Sequence, residues 1–148
     1  MEDLLKSIMS TKVETVQSKQ PLKKALKKMV SRNIGSVVVV DVHGKPVGIV
    51  TERDISRCVA KGLKSLNTQI TRVMTRDLIV ASPDTTIQAA LGTMLKHGIR
   101  RIPIIDNEKL IGVVTERDLL HWVLKVSYEP NIPVEIVKIL EGPLSSKA

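Results

Sequence analysis

Between positions 22 and 30 the chain places Leu22, Ala25, Leu26, Met29 and Val30 on one side of a helical period, with Lys23, Lys24, Lys27 and Lys28 between them. This i, i+3, i+4, i+7, i+8 spacing predicts an amphipathic helix with one face toward a core. Ile87, Ala90, Leu91, Met94 and Leu95 draw the same stripe later in the chain. Each helix is followed by two apolar, β-branched runs joined by a short loop, Ser36 to Asp41 with Val47 to Thr51, and Arg101 to Asp106 with Leu110 to Thr115. These runs read as paired strands, and their continuous hydrophobicity predicts burial on both faces. The second strand of each pair leads into another helix, Glu52 to Lys61 or Glu116 to Val126, with acidic residues at its positive end. Ahead of each first helix stands a short β segment, Glu14 to Gln17 or Leu78 to Ala81, then turn residues including Pro21 or Pro83. The predicted order is therefore β-α-β-β-α, twice.

The two halves also match residue by residue. Gly48-Ile49-Val50-Thr51-Glu52-Arg53-Asp54 returns as Gly112-Val113-Val114-Thr115-Glu116-Arg117-Asp118, 64 positions later. Upstream, Met9, Leu22, Ala25, Met29 and Asp41 are matched by Met74, Ile87, Ala90, Met94 and Asp106 at a spacing of 65. The missing residue falls in the loop between the strands, where a length change is tolerated. This organisation predicts one repeat over 7–62, a second over 70–126, and a Pro-punctuated extension over 127–148 in which Val134 to Glu141 forms a short amphipathic helix.

Composition narrows the chemistry. The chain has no Phe, one Trp and one Tyr, while hydrophobic residues make up 43%. Its core must therefore be aliphatic, and base stacking on aromatic side chains is disfavoured. A formal charge of +8 favours anionic partners in general. The lone Cys58 reads as a small, buried thiol in a helix and suggests a reducing compartment. The first ten residues lack the apolar run of a signal peptide and no segment reaches spanning length, so a cytoplasmic location is expected. His43, His97 and His121 stand too far apart for a metal site, and no nucleophile motif is present. Gly92, inside a predicted helix, marks either a close helix approach or an ordinary tolerated glycine. Trp122 anchors the tail, a dimer contact or the module itself.

The strand-to-helix junction carries the most specific chemistry. A strand ending in Thr and opening a helix presents backbone N–H groups and a hydroxyl suited to a phosphate. An Asp three residues on accepts two hydrogen bonds, as the 2′ and 3′ hydroxyls of a ribose would supply. The same Thr-x-x-Asp spacing also describes a capping box, although Asp is shorter than the usual Glu or Gln and closes it less well.

Two Gly-hydrophobic-hydrophobic-Thr-x-x-Asp junctions, in matching β-α-β-β-α units, together with Gly98-Ile99-Arg100-Arg101-Ile102-Pro103, resemble the CBS domain family, and the tandem resembles a CBS pair. The resemblance implies an α/β (α+β) fold of two repeats packed with pseudo-twofold symmetry. It further implies clefts between them for adenosine-containing ligands, and association into a homodimer. Thr51 with Asp54 and Thr115 with Asp118 take on the phosphate and ribose roles. Arg100 and Arg101 match positions whose side chains reach ligand phosphates, with a solvated strand end as the alternative. Copy one has Gly35 and Ser36 there, so the two sites should differ. Lys12 and Arg76 supplement the charge.

The resemblance thus implies a non-catalytic regulator that binds AMP, ADP or ATP, needs no cofactor, and signals to a separate effector protein. S-adenosylmethionine is the alternative ligand, and NAD fits less well. From another class, the lysine-rich first helix suggests a nucleic-acid partner, against a charged and merely solvated surface.

Overall fold

The computed structural model of the protein describes residues 3–128. The expected helix from Val134 to Glu141 lies outside them. The elements are β1 (Thr15–Gln17), α1 (Leu22–Arg32), β2 (Ser36–Val40), β3 (Pro46–Thr51), α2 (Glu52–Ala60), α3 (Ile87–His97), β4 (Arg101–Asp106), β5 (Lys109–Thr115) and α4 (Glu116–Tyr128), with short 3-10 turns at Leu5–Ser7 and Ile70–Arg72.

The chain divides into two compact units, and their boundaries do not follow the linear repeats. Among the described residues, one unit contains Lys12–Ile79, with the hairpin tip Asn107–Leu110; the other contains 3–11, Val80–Asp106 and 111–128. Each unit is therefore one copy's helices and strands completed by the segment that precedes the other copy. In the first unit, Thr75 exchanges backbone hydrogen bonds with Ile49 of β3 at 2.8 and 3.0 Å. In the second, Ser10 does the same with Val113 of β5, both at 2.9 Å.

The first unit's sheet runs β1-β2-β3, parallel and then antiparallel. α1 covers it with Leu22, Ala25 and Met29, which join Val16, Val37, Val39, Val50, Ile70 and Met74 in one core. The second core repeats this with Ile87, Ala90, Met94, Ile102, Ile104, Val114, Leu119 and Leu5. Leu5 and Ile70 come from the crossing segments, so neither core is complete without them.

Several expectations need correction. The apolar stripe of the first helix ends a turn early, because Val30 is 82% exposed and its counterpart Leu95 76%. Continuous burial holds along β2 from Val37 to Val40, whereas β3 and β5 alternate toward their ends and keep one face more open. The expected β segment from Leu78 to Ala81 shrinks to one parallel bridge, Ala81 to Ile104. The reason is chemical: in copy one Val38 N–H donates to Glu14 O at 3.2 Å, but the matching residue in β4 is Pro103, which has no N–H to offer. Gly92 does not mark a close approach, since a Cβ there would meet nothing within 4 Å.

The loop that differs in length shows two solutions to one turn. In copy one, Asp41 Oδ1 accepts from His43 N–H (2.8 Å) and Lys45 N–H (2.9 Å), and Gly44 takes a φ of 79°. In copy two, Asn107 and Glu108 make the turn alone at φ 49° and 65°. Those are the left-handed conformations that a two-residue hairpin loop requires at both positions.

Candidate functional site

Both junctions are built from a strand whose last residue caps the next helix. Thr51 N–H donates to Asp54 Oδ2 at 2.8 Å, and Asp54 N–H donates to Thr51 Oγ1 at 3.3 Å. The Thr51 hydroxyl adds a bond to Asp54 Oδ2 at 3.1 Å. In copy two, Thr115 N–H reaches Asp118 Oδ2 at 2.9 Å and Asp118 N–H reaches Thr115 Oγ1 at 3.2 Å. A short Asp thus closes the box after all, because the extended backbone of the cap residue turns its own N–H toward the helix. The helix-start N–H groups expected to meet a phosphate are partly spent. Besides Asp54 and Asp118, Glu52 N–H donates to Gly35 O (3.1 Å) and Glu116 N–H to Arg100 O (2.8 Å).

The glycine that opens the motif has a steric cause. A Cβ on Gly48 would lie 2.6 Å from Met74 Sδ and 2.9 Å from Thr75 O. On Gly112 it would lie 2.8 Å from Met9 Sδ and 2.9 Å from Ser10 O. The crossing segment lies against the strand at that point in both units, and only a residue without a side chain admits it.

The two carboxylates differ in setting. Asp54 is 4% exposed, and its Oδ1 accepts from the Thr75 hydroxyl at 2.8 Å and lies 3.7 Å from Arg57 Nη1. Asp118 is half-buried. Thr75 is a site residue that the sequence reading missed. Its place 21 positions beyond Asp54 carries no local pattern, and only the pairing of Thr75 with Ile49 brings it there.

The structure brings Thr115, Asp118, Arg100 and Arg101 into one unit. The Arg100 carbonyl holds the first N–H of α4, so the start of β4 lies beside the start of that helix. Arg100 is exposed, with Nε 3.7 Å from Glu116 Oε2, and Arg101 is half-buried. Thr51, Asp54, Lys12 and Arg76 belong to the other unit. There Lys12 is exposed, and Arg76 Nη2 donates to Thr71 O at 3.1 Å within its own segment. Cys58 and Trp122 occupy matching places, each partly buried against its unit's core. The Trp122 indole N–H also donates to Asp3 Oδ2 at 3.1 Å, tying the crossing segment to α4. Among the described residues no group of His, Cys, Asp or Glu is placed to hold a metal, and no helix is long and apolar enough to cross a membrane.

Comparison with known proteins agrees with this geometry. The CBS domain family matches the chain twice, over residues 5–61 and 70–125. A 17.7 kDa protein of Acidianus ambivalens, from the bps2 3′ region, is 36% identical over 93% of this chain and 84% of its own length. The CBS domain-containing protein YhcV of Bacillus subtilis is 35% identical over 78% of this chain and 81% of its own. Among solved structures, the CBS domain pair of protein MJ0100, in complex with 5′-methylthioadenosine and S-adenosyl-L-methionine, superposes with a TM-score of 0.76. It shares 31% identity and covers 83% of this chain and 97% of that one. Two family matches in tandem, on a fold shared with a solved pair, establish that this chain belongs to the CBS domain family and carries two CBS repeats.

Proposed function

We propose that the chain is a non-catalytic regulatory module that binds an adenine nucleotide (AMP, ADP or ATP) at the junction of β5 and α4, and signals as a homodimer to a separate effector protein. The observation that carries this reading is the grouping of a half-buried carboxylate, Asp118, with two arginines on the adjoining strand start. Asp118 offers paired acceptors for ribose hydroxyls, and a guanidinium engages two phosphate oxygens at once. Among the described residues, the Arg100 side chain makes a long, exposed ion pair to Glu116, an interaction weak enough to exchange for a phosphate. Copy one is the poorer site. Its carboxylate is buried and bonded to Thr75, and Gly35 and Ser36 stand where the arginines would be.

A second reading, S-adenosylmethionine in place of a nucleotide, is favoured by the ligands held by the related MJ0100 pair. It uses Asp118 and leaves the arginines without a phosphate. Calorimetric titration with AMP, ADP, ATP, S-adenosylmethionine and 5′-methylthioadenosine separates the two. On the nucleotide reading, Asp118→Ala and the double change R100Q/R101Q each lower nucleotide affinity at least about tenfold, the loss of one charge-assisted contact. On the alternative, only Asp118→Ala matters. Binding that survives Asp118→Ala, in a variant whose melting curve shows it folded, removes the proposed ribose role.

A further inference from the structure

The chain's net positive charge is concentrated in one unit. Lys12–Ile79 carries 14 lysines and arginines against five acidic residues, a formal +9, and the rest of the chain nets −1. Its densest part is the outer face of α1, where Lys23, Lys24 and Lys27 are exposed. Lys19 precedes the helix, and Lys64 lies on the connector whose Leu66 and Thr68 carbonyls accept the Lys23 and Leu22 N–H groups. Among the described residues, Lys28 and Arg32 are engaged with Glu14, while Lys23, Lys24 and Lys27 enter no ion pair.

These lysines do not serve the fold. The same helix in copy two, α3, buries the same stripe with Gln88, Ala89 and Gly92 at the matching positions. They are also placed against local electrostatics, since two of them stand in the first turn, at the positive end of the helix dipole. α2 and α4 carry acidic residues there and α3 has a Thr cap, whereas α1 has neither. A local rule broken in one copy and obeyed in the other marks a surface kept for something besides stability.

We propose that the outer face of α1 is a docking surface for the phosphodiester backbone of a nucleic-acid duplex, independent of the adenosine site. Lysine ammoniums make single, sequence-independent contacts to phosphates, and the absence of aromatic residues from this face excludes base stacking. An acidic protein partner fits less well, because lysine is depleted at protein interfaces. A bilayer fits less well too, because Leu22, Ala25 and Met29 of the stripe beneath these lysines are buried in the core, and the single exposed Val30 makes no apolar face to insert.

The test is fluorescence anisotropy of short labelled DNA and RNA duplexes with the full chain, between about 50 and about 200 mM salt. The triple variant K23Q/K24Q/K27Q should bind at least about tenfold more weakly, with a log K against log salt slope shallower by about 2.7, roughly 0.9 per lysine. Its melting temperature should stay level or rise, whereas K6Q/K96Q, changed in the other unit, should bind as the wild type does. Binding of either duplex identifies the nucleic acid. Three results overturn the proposal: no salt-dependent binding by the wild type, unchanged binding by the triple variant, or binding to phosphatidylserine vesicles without binding to a duplex.

Discussion

The two units use one backbone plan with different side-chain loads, so each serves as a control on the other. What both share is what the fold requires: the helix stripe, the strand cores, the glycine beneath a crossing methionine and the Thr-Asp cap. What they do not share is free to carry function or to reflect local accommodation. Asp54 is buried and bonded to Thr75, while Asp118 is more open and adjoins a strand that starts with two arginines. The same contrast separates a lysine-rich α1 from an α3 with a single lysine, Lys96, and a five-residue turn around Gly44 from the compressed Asn107-Glu108 turn.

The sharpest way to break the shared part is at the motif glycine. Gly48→Ala or Gly112→Ala drives a Cβ into a backbone carbonyl and a methionine sulfur, so each should cost about 1–3 kcal/mol or more in denaturant titration. Gly92→Ala, facing open space in α3, should instead stabilise by about 1 kcal/mol. Equal effects at all three positions would mean that the crossing segments do not pack as described.

The junctions come next. Asp54→Ala removes a cap and strands the Thr75 hydroxyl, for a cost of about 2 kcal/mol, whereas Asp118→Ala should cost about 1 kcal/mol. Thermal melts of the two variants measure the difference, and a reversed order would undo the distinction between a buried and a half-buried carboxylate.

The turns should show a smaller contrast. Glu108→Gly relieves a left-handed residue and should raise stability by about 1 kcal/mol, while Gly44→Ala should lower it by a similar amount.

The smallest effect concerns acid. Hydrogen bonds from the backbone of Lys45 and then of His43 hold the Asp41 carboxyl below its ordinary value. A depressed folded pKa means that its stabilising contribution is present above the unfolded value and is lost as pH falls through the folded one. Asp41→Asn should therefore remove a slight acid-limb slope from stability measured between about pH 5 and about pH 2, leaving neutral stability nearly unchanged.

Much of this was legible in order of residues alone. The repeat, the five elements of copy one, four of those expected in copy two, and the buried positions of α1 and α3 short of Val30 and Leu95 follow from periodicity, which local backbone geometry imposes on any chain that buries one face. The Thr-Asp junctions were legible as well, though not which of their two uses the geometry favours. Pro103 was visible too, and its missing N–H foretells the shortened strand once the pairing partner is known. What sequence could not supply was pairing between segments that share no local pattern. Met74 reaches back to Gly48 and Met9 reaches forward to Gly112, so each unit borrows its closing segment from outside its own repeat. That exchange sets the burial of Asp54 through Thr75 and completes both cores with Leu5 and Ile70. Periodicity records which way a side chain faces along its own element, and only tertiary contact decides what it meets there.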